Sequence, residues 1–191
     1  IKKLDESKLV LDSLSKNRSY YGFLSANILD IPINIVNTPY LADGKDLKEL
    51  SSRYEIKRIY ELYILGRKRD ARKELRYLFK RSEYENLNAL NVLFKNWGWS
   101  DGAILGYGNT KYFDDIEARF PVLYENFFDK YSNTNIQKSL FLGIARKESI
   151  FIQYAKSSAG ALGIMQVLPR TAYWVLKKSK MKKVSKNYLY N

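Results

Sequence analysis

Between Tyr54 and Leu105 the chain keeps one pattern, apolar residues three or four apart followed by a glycine. Tyr54, Ile59, Leu62, Tyr63 and Leu65 mark one helical face, and Gly66 is a natural stop. Asp70 opens a second run through Ala71, Leu75, Leu78 and Phe79. Leu87, Leu90, Leu93 and Phe94 form a third that ends near Gly98, and a short fourth around Ala103 to Leu105 breaks at Gly106 and Gly108. Helices of this length joined by such short turns must pack as antiparallel neighbours, so an all-α stack of helical hairpins is expected. No strict repeat survives to name a repeat family. From Leu29 to Tyr40, Pro32 and Pro39 and an alternating pattern replace the helical period, which predicts an extended connection.

Composition narrows the chemistry. The 191 residues suffice for one domain or two modest ones, with a real core. They contain no histidine and no cysteine. Ser-His-Asp and Cys-His nucleophile systems, disulfides and the commonest metal ligand are therefore excluded. Any catalysis must run on carboxylates, Tyr, Lys or backbone, and no metal or cofactor is implied. Lys and Arg number 33 against 20 Asp and Glu, a net charge of +13. That surplus suits a polyanion, an acidic surface or a polymer carrying carboxylates; a solvated basic surface accounts for it equally. The sixteen Tyr and three Trp are open to two readings, stacking on sugar rings or bases and packing between helices. The cluster Lys177, Lys178, Lys180, Lys182, Lys183 and Lys186 is likewise an anion contact or a basic loop. No helix-turn-helix, RNA-recognition or zinc pattern supports a nucleic-acid partner. No run approaches the roughly 18 apolar residues of a transmembrane segment. The start at Ile1 leads us to expect a processed or excised polypeptide.

One carboxylate stands out. Ile136, Leu140, Ile144 and Glu148 follow at steps of four, which places them on one face of a helix. The three apolar residues are expected to enter the core, and Glu148 continues their stripe at the carboxyl end. Partial burial and the negative end of the helix dipole would then both favour the protonated acid, the form that donates a proton to a glycosidic oxygen. The alternative is a solvent-facing Glu paired with Arg146 or Lys147. Downstream, Ala159-Gly160-Ala161-Leu162-Gly163 is too small to fill a core and too apolar for an ordinary surface loop. It admits close approach of backbone to a ligand, or a tight helix crossing. Leu168-Pro169-Arg170-Thr171-Ala172 restarts a helix, with Pro169 in its first turn.

Glu148-Ser149, Ser157, Ala159-Gly160-Ala161-Leu162-Gly163-Ile164-Met165-Gln166 and Pro169-Arg170-Thr171-Ala172 together resemble, in order and spacing, the catalytic motif of the soluble lytic transglycosylases. Ser19 to Ala26, Trp97 to Ile104 and Arg119-Phe120-Pro121 with Tyr124 resemble further family segments in the family's order. The resemblance implies a helical-hairpin superhelix over residues 1–120. The N-terminal part of a lysozyme-like α-helical domain would follow over residues 121–191. It implies non-hydrolytic cleavage of the bond between N-acetylmuramic acid and N-acetylglucosamine, leaving a 1,6-anhydro ring. Glu148 would be the single acid and base. Ser157, Gly163, Met165, Gln166 and Leu168 would line the substrate site, and peptidoglycan glycan strands in the periplasm would be the partner. Lys147, Ile152-Gln153 and Leu168 depart from the family's commonest residues. The family's Ala-Tyr-Asn-Ala-Gly-Pro segment is absent, so part of the catalytic domain is expected beyond Asn191. A non-catalytic helical scaffold that binds cell wall or a partner through its basic surface is the competing expectation.

Overall fold

The computed structural model describes residues 2–81, 86–132 and 136–190. Its helices are α1 (Lys2–Ser15), α2 (Tyr20–Ile28), α3 (Gly44–Ser52), α4 (Tyr54–Ile64), α5 (Lys68–Lys80) and α6 (Leu87–Asn96). They continue as α7 (Ser100–Tyr107), α8 (Ile116–Arg119), α9 (Glu125–Tyr131), α10 (Lys138–Ser149) and α11 (Pro169–Lys178), with a 3-10 turn at Lys186–Tyr190. Among the described residues, β pairing is limited to two isolated bridges.

Two compact units are distinguished. The smaller comprises the chain up to Pro39 together with Asp114–Ile116. Here α1 and α2 pair as a hairpin. Ser19 caps α2 by accepting the Gly22 N–H at 3.1 Å. Gly22 has to be glycine, because a Cβ there would fall 1.9 Å from the Asn17 carbonyl oxygen. The expected extended connection follows. It is held by the Thr38 N–H on the Asp114 carbonyl (2.8 Å), while the Asp114 side chain pairs with Arg18.

The larger unit runs from Tyr40 to Phe113 and resumes at Glu117. Its hairpins α4–α5 and α6–α7 follow the expected pattern. Gly66 and Gly98 terminate α4 and α6 in the left-handed region, at φ +73° and +69°. Leu50, Ile56, Ile59, Leu75, Leu90, Phe94 and Trp99 form the first core. Gly106 does not break α7 as the sequence implies. It lies inside the helix, where a Cβ would meet the buried Asn91 side chain at 1.6 Å. Its role is close packing, which a sequence pattern cannot separate from a helix stop. On α7, Ala103 faces this first core, while Ile104 joins Phe128, Ala145 and Phe151 in a second. Consecutive helical residues point about 100° apart, so one short helix serves both cores.

Candidate active site

α10 carries the acid. Its amino end is fixed by Lys138, whose ammonium reaches Glu125 at 2.8 Å and Asp129 at 3.0 Å, both on α9. Phe128 of α9 stacks on Phe141 of α10 with centroids 6.0 Å apart. The buried residues of α10 are Ala145 and Ser149, with Phe141 and Leu142 packed on the second core.

This register overturns the expected core stripe. Ile136 precedes the helix, and Ile136, Leu140 and Ile144 are 39%, 55% and 38% exposed. Glu148, the penultimate residue of α10, is exposed as well. α10 offers two apolar faces one residue apart, and the one holding Phe141 and Ala145 is buried. The burial expected to keep Glu148 protonated is therefore missing. The proposed surface pairing fails too. Arg146 donates its Nε to the Arg119 carbonyl at 2.6 Å and lies over the Phe120 ring at 4.2 Å. Its guanidinium is held below the ordinary arginine value, first by burial and then by the nearby Arg119. The Glu148 carboxylate makes no ion pair or hydrogen bond with any described residue.

Directly after the acid the chain reverses. Ile150 and Phe151 both adopt left-handed conformations, φ +50° and +63°. Such geometry is costly for a β-branched residue and an aromatic one. It persists because Phe151 is buried in the second core and Ile150 packs against it. Ser149, not singled out as a site residue by sequence, anchors the turn. Its buried Oγ donates to the Ile164 carbonyl at 2.7 Å and lies 3.2 Å from the Ala145 carbonyl. Thus the end of α10 is fastened to the middle of the glycine-rich segment.

That segment is a compact knot. Leu162 and Val167 exchange two backbone hydrogen bonds of 3.1 Å, and the Gly163 N–H reaches the Ala155 carbonyl at 3.0 Å. Ser157 accepts the Ala161 N–H on its Oγ at 3.0 Å, so its hydroxyl shapes the tight turn and keeps its own proton to donate. Gln166, at φ +48°, donates its side-chain amide to the Gly163 carbonyl at 2.7 Å and the Ala155 carbonyl at 3.3 Å. Gly163, at φ +74°, packs directly beneath the 3-10 turn, and a Cβ there would lie 1.8 Å from the Leu189 carbonyl oxygen. Met165 packs against the second core. Leu168 is 42% exposed and immediately precedes Pro169, the first residue of α11. The hydrogen bonds therefore join Glu148's helix to Gly163 and Gln166 through Ser149 and Ile164, while Ser157 stands at the far tip of the knot.

The described residues contain no group of carboxylates suited to a metal ion. No helix among them is long and apolar enough to cross a membrane.

Comparison with known proteins identifies the family and the fold. The soluble lytic murein transglycosylase L domain matches residues 49–116, and the transglycosylase SLT domain matches residues 125–191. The soluble lytic murein transglycosylase of Escherichia coli K12 is 31% identical over 176 residues, 90% of this chain and 26% of that protein. Among solved structures, an inactive mutant of the Pseudomonas aeruginosa lytic transglycosylase Slt superposes with a TM-score of 0.88. It is 27% identical and covers 97% of this chain and 30% of its own. The 70-kDa soluble lytic transglycosylase in complex with bulgecin A gives 0.83 at 27% identity, over 100% of this chain and 31% of its own. The chain belongs to the soluble lytic transglycosylase family, and its all-α class, helical hairpins leading into a lysozyme-like domain, is that of these structures. It spans about a third or less of the length of the relatives it matches.

Proposed function

We propose that the protein cleaves peptidoglycan between N-acetylmuramic acid and N-acetylglucosamine without consuming water, with Glu148 as its single acid and base. The observation that carries this reading is Glu148 itself. It is an exposed carboxylate with no partner among the described residues, on a helix end fixed to the motif segment by Ser149. Glu148 donates its proton to the glycosidic oxygen as the bond from that oxygen to the muramic C1 breaks. The resulting carboxylate takes the proton of the C6 hydroxyl as O6 bonds to C1, closing the anhydro ring. One carboxylate performs both transfers, whereas glycosidases ordinarily use a pair.

Ser157 and Leu168 present a hydroxyl and an alkyl group to the glycan. Gly163, Met165 and Gln166 form the wall behind them. Residues 1–120 act as the superhelical part and residues 121–191 as the start of the catalytic domain, in the periplasm, where the polymer lies. The relatives support this reading by name. Two are called murein transglycosylases, and the Pseudomonas protein was solved in a form inactivated by replacing one Glu with Gln. The test is digestion of purified peptidoglycan in oxygen-18 water, read by mass spectrometry. Anhydro ends without the heavy isotope are expected; labelled reducing ends would make the enzyme a hydrolase and contradict the proposal.

A further inference from the structure

The largest cleft among the described residues, about 1210 Å³ between α5 and the loop 150–158, is lined by Ser157 and belongs with the substrate site proposed above. A second charged surface lies outside it. From Ser149 to Asn191 the chain contains no Asp or Glu but eight Lys and Arg. The first 148 residues are nearly balanced, with 25 basic against 20 acidic. Six of the eight are Lys177, Lys178, Lys180, Lys182, Lys183 and Lys186, at the end of α11 and just after it. All six are exposed, none lines the cleft, and none has an ion pair or side-chain hydrogen bond with any described residue.

The local backbone gathers these charges. Lys180 adopts a left-handed conformation, φ +54°, at the position after a helix where glycine is usual. The Met181 N–H reaches back to the Leu176 carbonyl at 2.9 Å and the Lys180 N–H to the Lys177 carbonyl at 3.2 Å, so the chain reverses there. Lys183 then lies over the Tyr173 ring at 5.0 Å, and Lys178 over the Trp174 ring at 5.1 Å. The loop lysines and the last turns of α11 thus share one surface with two aromatic rings. Trp174 and Met181 are 61% and 63% exposed on it.

Three properties select the partner. Lysine ammoniums are compact point charges that meet phosphate without the planar geometry an arginine fork requires. Clusters of them beside a helix add their attractions to a negatively charged lipid surface. Exposed tryptophan prefers the headgroup level of a bilayer, where one side of the ring is apolar and the other wet. With ten residues, α11 is about 15 Å long, so it fits along a bilayer and not across a hydrocarbon core of about 30 Å. We propose that α11 and the loop 179–186 dock on a bilayer of anionic phospholipid, with the lysines on phosphates and Trp174 and Met181 among the headgroups. This docking is independent of cleavage at Glu148.

The test is sedimentation of the protein with vesicles of mixed phosphatidylglycerol and phosphatidylcholine. Binding is expected to exceed that to phosphatidylcholine alone about tenfold or more, and to fall as salt shortens the screening length. The variant Lys180→Gln/Lys182→Gln/Lys183→Gln should weaken it about tenfold or more. Lys45→Gln/Lys48→Gln/Lys57→Gln removes the same charge from α3 and α4 and should bind as the parent does. Of the three tryptophans only Trp174 is exposed, so the mixed vesicles should shift the emission to the blue, and Trp174→Phe should remove the shift. Equal binding to neutral vesicles, undiminished binding by the loop variant, equal loss in the α3–α4 variant or an absent Trp174 shift would each overturn the assignment. Duplex DNA or polyphosphate binding as tightly as the vesicles would overturn it too, by making the surface a general polyanion site.

Discussion

Ser149 and Tyr124 show how single residues set the geometry around the acid. The Ser149 hydroxyl is buried and bonded to the Ile164 carbonyl, so Ser149→Ala leaves that carbonyl without its donor. Such a loss costs about 1–3 kcal/mol, and chemical denaturation should show it. Activity should fall further than stability explains, because the same bond positions Glu148 against the motif. Tyr124, in the cleft wall, has its phenol held above its ordinary value of 10.0, first by burial and then by Asp101 and Tyr154. The fold therefore favours the neutral phenol. Stability from this source is constant below about pH 10 and declines as pH rises past it. Tyr124→Phe should flatten that decline, seen as a smaller drop in urea midpoint between about pH 9 and about pH 11 than the parent shows. An unchanged drop would remove Tyr124 from the alkaline response.

At the scale of elements, the glycines report which contacts the chain pattern conceals. Gly66 and Gly98 end helices at positive φ, and their place after an apolar run made that legible. Gly106 occupies the same kind of place yet lies inside α7, because its reason is Asn91 of the neighbouring helix. The register of α10 was hidden similarly. Ile136, Leu140 and Ile144 form as clean a stripe as Phe141 and Ala145, and only the packing partner decides which enters the core. Gly163 offers a test of an element contact. Alanine there strains a backbone at φ +74° and collides with the 3-10 turn Lys186–Tyr190. Gly163→Ala should destabilise by about 1–3 kcal/mol and expose the turn to faster amide hydrogen exchange. Exchange confined to its parent rate would show that the turn does not depend on this contact.

Across the whole molecule, local chemistry was legible and long-range placement was not. Glu148 and the glycine-rich segment stand near one another in the chain, and their resemblance to the family motif, not their spacing, pointed to a site. The Ser149–Ile164 bond spans a loop and a backbone reversal, for which helical periodicity carries no signal. The surplus of +13 was visible, but that Arg69, Arg76 and Lys156 line one cleft came only from the fold. The proposed reaction depends on one carboxylate acting alone. The most direct measurement compares anhydro-muropeptide release from peptidoglycan by the protein and by Glu148→Gln, with circular dichroism and thermal unfolding of both. Product from the parent, none from the variant and matching unfolding curves are the result the account predicts. Undiminished release by Glu148→Gln would contradict it, since another group would then have to carry the proton.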